Sequence, residues 1–313
     1  MTIYRHDAIG AGSAVSIADM VAAAAGSQTA NPTRAAVTRR SVAVNDGTQL
    51  SYLEAGVGKT LVLIPGWSQT AEQFKFQIDG LADRYRVIAL DLRGHGDSAK
   101  PAYGYSIQRL AKDLEDVLVA LDLRDITILG HSMGCSVLWC HFDLFGATRI
   151  ARYVFCDQAS FLTANPEWTS EQAANYGSIF TPDSATAFSN DVIKADSAKD
   201  TETLLKPMVT SAMPPEQLKW IVDLNLKMPR QYAADLHYNH CYQDWRDVLP
   251  RIDKPTLFIG ARSSIFPPAC IAWAATQVPG AQLAIFENSD KGSHFMFIEN
   301  PSKFNGLIAA FIG

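Results

Sequence analysis

Short, continuous runs of apolar residues recur along this chain, and stretches with a helical period separate them. The runs TLVLIPGW (60–67), YRVIALD (85–91) and ITILG (126–130) carry no polar alternation. Strands of this kind are buried on both faces, as they are in a parallel sheet. Residues 107–123 place apolar side chains every three or four positions, which is typical of an amphipathic helix. The alternation predicts an α/β fold with a doubly wound, mostly parallel sheet.

The alternation begins at residue 41 with a hairpin signal, Asp46-Gly47, stops at residue 158 and resumes near residue 249. Between these points the sequence contains helix-like segments and no clear strand. These segments are EQAANYG, TETLLKPMV and PPEQLKWIVDLNLK. We therefore predict an N-terminal extension (1–40), an α/β core (41–157 and 249–313) and an inserted helical cap (158–248). The cap should cover the carboxyl ends of the strands, where such sheets bind ligands.

The composition is that of a globular protein and argues against several kinds of partner. Of the 313 residues, 48% are hydrophobic and 19% are charged, and the net charge is −5. Without a basic cluster, this charge argues against nucleic acid as a partner. Five cysteines at irregular spacings do not suggest disulfides, so a reducing, cytoplasmic location is expected. No apolar run approaches the roughly 20 residues of a membrane span.

The role of the N-terminal residues 1–40 stays open, and a cluster of His and Cys residues near residue 240 does not predict a metal site. Residues 1–40 are rich in Ala and Gly, and Asp19 interrupts their apolar part, which argues against a secretory signal. Composition does not distinguish a surface arm, a homodimer contact, a weak targeting peptide or a poorly ordered segment. His237, His240 and Cys241 lie close together in the sequence, but no second ligand pair accompanies them, so no metal is expected.

The sequence Gly130-His131-Ser132-Met133-Gly134 stands between a predicted strand and a predicted helix. It is either an ordinary tight turn or a turn that holds Ser132 out as a nucleophile. A chain of this length matches such a pattern by chance about one time in ten. The strand–turn–helix context favours the nucleophile, because flanking glycines let the turn close around a strained, exposed serine.

A serine hydroxyl becomes a useful nucleophile only when a base takes its proton. The best candidate for the base is His294, which follows the last predicted strand in the segment NSDKGSHFMF. His131 adjoins the serine and should point elsewhere, and His95 belongs to a turn. His6 lies in the N-terminal region and His141 on the helix after the serine turn. His237 and His240 belong to the cap, where they could line a substrate pocket, although an ordinary packing role is favoured.

Four separated segments, LIPGWSQ, ALDLRGHGDS, LGHSMG and GSHFMF…NP, resemble the α/β-hydrolase superfamily in order and spacing. The resemblance covers essentially all of residues 41–313. It implies that Ser132 is the nucleophile and His294 the general base. It also implies that the backbone N–H groups of Trp67 and Met133 form the oxyanion hole, each worth on the order of 3 kcal/mol.

The catalytic acid departs from the commonest pattern of that superfamily. Most members carry an aspartate in the late loop FIGARSSIFPP, where this chain has Ser263 and Ser264. Some members, including certain dehalogenases, carry the acid after an earlier strand, and Asp157 ends the matching run ARYVFCD. We predict Asp157 as the acid. The alternative is that it caps the first cap helix, while Asp290 and Glu287 are near His294 in sequence but should be misplaced.

A Ser–His–Asp triad implies acyl transfer to water, so a small carboxylic ester or lactone is the expected substrate and no cofactor is needed. Haloalkane dehalogenation and epoxide hydrolysis require a carboxylate in place of Ser132. The aromatic residues of the cap suggest an apolar pocket that encloses a small molecule. The residues predicted to bind substrate are Phe161, Trp168, Tyr176, Phe180, Tyr238 and His240.

The resemblance leaves alternatives to hydrolysis open. The same scaffold is used by cofactor-free dioxygenases, in which a His–Asp pair deprotonates the substrate, and by cofactor-free perhydrolases, once called haloperoxidases. Some members are hormone receptors that turn over slowly or not at all.

Overall fold

The computed structural model describes residues 35–313 together with the backbone of two short N-terminal strands. Those strands, β1 (Thr2–Ile3) and β2 (Val15–Ser16), pair antiparallel. The remainder of the predicted N-terminal extension up to residue 34 lies outside the described residues, so its role stays a prediction.

Eight further strands form one sheet. They are β3 (Thr38–Ala43), β4 (Gln49–Ala55), β5 (Lys59–Ile64), β6 (Tyr85–Leu90), β7 (Ile126–His131), β8 (Ile150–Cys156), β9 (Thr256–Ala261) and β10 (Gln282–Phe286). Their order across the sheet is β10-β9-β8-β7-β5-β6-β4-β3. β3 and β4 form the predicted hairpin, β4 and β6 are also antiparallel, and the other neighbours run parallel. The predicted doubly wound, mostly parallel sheet is therefore confirmed.

The described part of the chain also contains α-helices before, within and after the predicted cap. They are α1 (Lys75–Leu81), α2 (Ile107–Ala120), α3 (Met133–Phe145), α4 (Ser170–Tyr176), α5 (Pro182–Lys194), α6 (Ala198–Leu205), α7 (Pro215–Asn225), α8 (Arg230–Cys241), α9 (Pro268–Gln277), α10 (Met296–Glu299) and α11 (Pro301–Ile312). Short 3₁₀ turns occur at Ala71–Phe74, Lys206–Met208, Leu249–Arg251 and Asn288–Asp290.

The sheet is covered on both faces, which explains its continuous apolar runs. Every residue of β7 and of β9 is buried. Alternate residues of β5 face opposite sides: Val62 packs in the apolar layer that contains α2, and Leu63 packs in the layer that contains α11. Because successive side chains on such a sheet point to two buried faces, most positions of these strands are apolar.

Residues 158–248 contain helices and loops, with a single bridge between Thr163 and Phe180. Helices α4, α6 and α7 overlap the three predicted segments, and the inserted helical region is confirmed. Helices α5 and α8 were not predicted, because PDSATAFSNDVIK and RQYAADLHYNHC have few large apolar residues at helical spacing. The start of α5 did carry a signal: Thr181 caps it and Pro182 follows. The predicted domain boundaries stay a prediction.

All five cysteines are buried and free, and they pack as small apolar side chains. Within the part of the chain that the structure describes, no helix is long and apolar enough to cross a membrane.

Candidate active site

Ser132 lies on a sharp turn between β7 and α3. Its backbone has φ 52° and ψ −129°, in a region that residues other than glycine rarely adopt. Strain of this kind costs about 1–3 kcal/mol and persists only where the surroundings hold it. Two hydrogen bonds hold it here: the Ser132 N–H donates to the carbonyl of Cys156 at 2.8 Å, and the Cys135 N–H donates to the carbonyl of Ser132 at 2.7 Å.

The two flanking glycines are required by the close approach of backbone atoms. A Cβ at Gly130 would lie 2.6 Å from the carbonyl carbon of Gly134. A Cβ at Gly134 would lie 2.5 Å from the carbonyl oxygen of Ile64, at the end of β5. Both distances are well inside van der Waals contact. The turn around Ser132 therefore closes only with glycine at both positions, as the nucleophile interpretation expects.

Asp157 follows β8, whose neighbours in the sheet are β7 and β9. Its side chain is fully buried, and its Oδ2 accepts a hydrogen bond from His294 Nδ1 at 2.7 Å. The backbone at Asp157 also has a positive φ of 55°, and its N–H donates to the carbonyl of Ile259 at 2.7 Å. The strand order thus places this carboxylate beside the end of the strand that carries Ser132.

Ser264 is a functional candidate that was not predicted from the sequence. Its hydroxyl donates a short hydrogen bond to Asp157 Oδ2, the same oxygen that His294 contacts. Ser264 stands in the loop after β9, where most members of the resembled superfamily carry their acid. The sequence did contain a signal for this role, because a small polar residue stands in the loop where most members carry an aspartate.

Asp157 does not cap the first cap helix, because α4 begins at residue 170 and its N-cap is Thr169. The two carboxylates near His294 in sequence are paired with cations. Asp290 pairs with Lys303 at 2.6 Å, and Glu287 pairs with Arg262 at 2.8 Å. Neither of these two carboxylates contacts His294.

The contact with Asp157 fixes the tautomer of His294. A carboxylate can only accept, so the proton of the neutral ring is on Nδ1 and the lone pair is on Nε2. Burial lowers the pKa of His294, and the ring is therefore neutral near pH 7. Burial raises the pKa of Asp157, while the hydrogen bond from Ser264 acts in the opposite direction.

Ser132 and His294 line the same cavity. Within the described chain no hydrogen bond joins Ser132 Oγ to the His294 ring, and such contacts are often made only once substrate is bound. His131 lies behind this pair: its Nε2 donates to the carbonyl of His294 at 2.9 Å, and the two ring centroids are 4.6 Å apart. His131 thus contacts His294 through the backbone and the ring, and it also lines the cavity.

Of the two residues predicted to supply the oxyanion hole, Trp67 lines this cavity and Met133 directly follows Ser132 in the chain. Met133 is the first residue of α3, so its N–H has no partner within the helix. Trp67 lies in the loop after β5, and the adjacent Gly66 approaches so closely that a Cβ there would lie 3.0 Å from the Cβ of Ser132. The indole of Trp67 is turned to the cap, where Nε1 donates to the carbonyl of Ala233 at 2.7 Å. The oxyanion role of both amides stays a prediction.

The cavity has a volume of about 220 Å³ and lies between the strand ends and the cap. Of the six residues predicted to bind substrate, Phe180 and His240 line it. Most of its other walls were not predicted, and they come from separate segments of the cap and core. The unpredicted walls include Leu162, Phe188, Met208, Ile265 and Phe266. His237, for which a pocket position was one of two possibilities, also lines the cavity.

The other four predicted binding residues do not line this cavity. Phe161, Trp168 and Tyr176 surround the guanidinium of Arg246, whose carbon lies 4.5 Å from the Tyr176 ring centroid and 4.6 Å from that of Trp168. Tyr238 is 49% exposed and packs on Tyr242. Aromatic content does not tell a pocket wall from a cation–π cluster or a surface pair, because all three bury similar rings.

The remaining described histidines have packing or hydrogen-bonding roles, and His6 lies outside the described residues. His95 Nδ1 contacts the carbonyl of Arg93 at 2.8 Å, and His141 Nε2 contacts Glu115 at 2.9 Å. His237 Nδ1 contacts Ser189 at 2.9 Å. Among residues 35–313, no three histidine, cysteine or carboxylate side chains are arranged to hold a metal ion.

The geometry of the sheet, the serine turn and the buried His–Asp pair is that of an α/β hydrolase. The family model described as alpha/beta hydrolase fold matches residues 59–301, and the chain belongs to this family.

Several relatives and solved structures are similar over nearly the whole of their length. The non-heme chloroperoxidase CPO-A1 of Kitasatospora aureofaciens is 27% identical over 85% of this chain and 97% of its own. A bromoperoxidase from Bacillus anthracis covers 88% of this chain and 99% of its own, with a TM-score of 0.80 and 22% identity. An esterase from Exiguobacterium antarcticum covers 87% of this chain and 98% of its own, with a TM-score of 0.79 and 24% identity. Both structural likenesses concern the fold.

Proposed function

We propose that this protein is a serine hydrolase that cleaves small carboxylic esters or lactones through an acyl-enzyme. The observation that carries the proposal is the 2.7 Å contact between His294 Nδ1 and Asp157 Oδ2, made at the cavity that Ser132 also lines. This contact leaves the basic nitrogen Nε2 of a neutral imidazole available to a serine hydroxyl. Family membership and the similarity to an esterase support the same reaction class.

In the first step, Ser132 Oγ attacks the carbonyl carbon of the ester while His294 Nε2 takes its proton. The imidazolium that forms is stabilised by Asp157, to which it already donates a hydrogen bond. The negative charge on the former carbonyl oxygen is stabilised by the N–H groups of Met133 and Trp67. Removing one such donor typically costs about 3 kcal/mol of transition-state stabilisation.

In the second step, the tetrahedral intermediate collapses and His294 gives its proton to the leaving alcohol. A water molecule then attacks the acyl-enzyme, with His294 again as general base, and the acid is released. The volume of about 220 Å³ and the mostly apolar walls favour a small, weakly polar substrate. A polymer would not fit beneath the cap.

A second candidate is perhydrolysis, in which hydrogen peroxide replaces water and the acyl-enzyme yields a peracid. The similarity to the chloroperoxidase CPO-A1 and to a bromoperoxidase favours it as an accompanying activity. It uses the same acyl-enzyme, so it differs from hydrolysis in the second nucleophile alone.

The test is labelling with a fluorophosphonate probe, comparing the wild type with Ser132→Ala, followed by turnover of short-chain esters. We expect labelling and turnover in the wild type and neither in the variant. Absence of Ser132-dependent labelling would contradict the proposal. Labelling that is followed by a single burst of product and no further turnover would favour a receptor. Oxygen uptake in the presence of a hydroxyquinolone would favour a dioxygenase. Peroxide-dependent peracid formation would add the second candidate.

A further inference from the structure

A pair of polar side chains outside the triad lies at the wall of the same cavity. Ser136 is on α3, one helical turn after Ser132, and is fully buried. Its hydroxyl contacts His240 Nε2 at 3.0 Å. His240 is on α8 of the cap, is 5% exposed, and lines the cavity. The pair therefore joins the cap to the helix that begins at the nucleophile.

The direction of this hydrogen bond follows from the burial of Ser136. Its contact with His240 is the one hydrogen bond that the hydroxyl makes among the described residues. If Ser136 accepted from Nε2–H, its own hydroxyl proton would be buried without an acceptor, which is costly. If Ser136 donates to Nε2, its hydroxyl proton has an acceptor, and no polar hydrogen of the pair is left both buried and unpaired. The second arrangement places the ring proton of His240 on Nδ1.

Burial also keeps this ring neutral. Burial, with His237 nearby, lowers the pKa of His240 to about 3. At neutral pH the ring therefore has one N–H donor and one acceptor, and Ser136 occupies the acceptor. Within the described chain, His240 Nδ1 has no hydrogen-bond partner. Most of the other side chains that line the cavity are apolar, Leu162 and Phe180 among them.

We propose that His240 donates a hydrogen bond from Nδ1 to a second oxygen of the substrate, beyond the ester group itself. The preferred substrates are then esters or lactones with an ether, keto or hydroxyl oxygen on an otherwise apolar chain. Ser136 acts as a positioning residue that sets the tautomer of His240. This inference rests on the proposed function and names its substrate class.

The first test compares isosteric esters that differ by one CH₂-to-O exchange. On the acyl side the pair is phenyl pentanoate and phenyl 3-methoxypropanoate, and on the alcohol side it is butyl butanoate and 2-methoxyethyl butanoate. For each pair, the ratio of kcat/KM for the oxygenated ester to that for the plain ester is measured in the wild type and in His240→Phe. Intrinsic reactivity cancels in this comparison. We expect the ratio to fall about tenfold in the variant for at least one pair, since one neutral hydrogen bond is lost.

An unchanged ratio for both pairs, with Ser132-dependent hydrolysis intact, would overturn the inference and leave the hydrolase proposal standing. If no ester is cleaved in a Ser132-dependent way, the hydrolase proposal itself fails.

A second test does not depend on activity or on the His240→Phe variant folding. The ¹⁵N chemical shifts of the His240 ring report which nitrogen carries the proton. We expect Nδ1–H in the wild type, loss of this preference in Ser136→Ala, and its return in Ser136→Thr. A wild-type ring protonated on Nε2 would overturn the assignment.

Discussion

Asp157 and Ser264 form a hydrogen-bonded pair, and Ser264 stands in the late loop where most members of the superfamily carry their acid. The strand order β9-β8-β7 puts the end of β8 between the loop of Ser264 and the turn of Ser132. A carboxylate on β8 can therefore contact His294, while the loop after β9 needs to supply only a donor to that carboxylate. If Asp157 is the catalytic acid, as we propose, the role that one residue has in most members is shared here by two.

Replacing Asp157 with asparagine should lower kcat/KM for ester hydrolysis by about 10³–10⁴-fold, because an amide neither fixes the Nδ1–H tautomer nor stabilises the imidazolium. Steady-state kinetics measure this loss, and circular dichroism checks the fold. The matched control is Asp290→Asn, whose carboxylate pairs with Lys303 and should change kcat/KM little. A loss under tenfold in Asp157→Asn would assign the acid to another residue.

Replacing Ser264 with alanine should lower kcat by about tenfold. A hydrogen bond to a charged group contributes about 1.5–3 kcal/mol, and part of that is regained by water entering the vacated space. The effect is measured as kcat on one short-chain ester, with Ser263→Ala as the control variant. Ser263 is the neighbouring serine and its hydroxyl contacts Asn288 away from the acid, so its variant should behave as the wild type. Equal activity in both variants would show that Ser264 does not tune Asp157.

Among the secondary-structure elements, the β3–β4 hairpin is joined to α2 by a buried guanidinium. Arg93 has no exposed side-chain surface and donates to Asp113 on α2 at 2.7 Å. It also donates to Thr48 at 3.0 Å and to Asp46 at 2.8 Å, both at the hairpin turn. The segment DLRGHGDS, part of the family resemblance, thus has a structural role here.

Replacing Arg93 with methionine should lower the free energy of unfolding by about 3 kcal/mol, because it leaves buried carboxylate surface unpaired. Asp113 keeps its contact with Arg109, which limits the loss. Urea denaturation measures the change. The control is Arg124→Met, whose pair with Asp122 is exposed and should cost less than about 0.5 kcal/mol. Similar losses in the two variants would argue against the buried network as the cause.

For the molecule as a whole, buried neutral histidines connect the site to acid stability. Burial lowers the pKa of six histidines: His95, His131, His141, His237, His240 and His294. For His95 the pKa falls to about 4, and for His237 it falls to about 3. In the unfolded chain each would titrate near its ordinary value of about 6.5.

Because these folded-state pKa values are depressed, the unfolded chain binds more protons below pH 6.5, and stability falls as the pH drops toward the folded values. Each histidine ring that stays neutral in the folded protein at pH 5 lowers the free energy of unfolding by up to about 2 kcal/mol relative to neutral pH. Burial raises the pKa of Asp91 and of Asp157, which acts with the opposite sign and offsets part of this loss.

We therefore expect the Tm in differential scanning calorimetry to fall by at least about 5 °C between pH 7 and pH 5. The variant His95→Asn should show a shallower dependence on pH, since one fewer proton is taken up on unfolding. A Tm that is flat or rises on acidification would contradict this balance of charges.

Much of the fold was predictable because it depends on local patterns. Continuous apolar runs identify strands buried on both faces, and the 3.6-residue period of α2 identifies its buried side. The glycines around Ser132 are likewise a local requirement, set by backbone atoms that meet within one turn. The prediction of Asp157 needed one further step, the rule that parallel strands end at the same edge of a sheet.

The tertiary structure alone decided which cap side chains face the cavity and which partner each polar group finds. Phe180 lines the cavity, whereas Trp168 packs on Arg246, and their sequence surroundings do not distinguish them. The contacts of Ser264 with Asp157 and of Ser136 with His240 join residues more than a hundred positions apart. Periodicity reports the direction of a side chain relative to its own element. The neighbour it meets depends on how distant elements pack, and that information is absent from any short stretch of sequence.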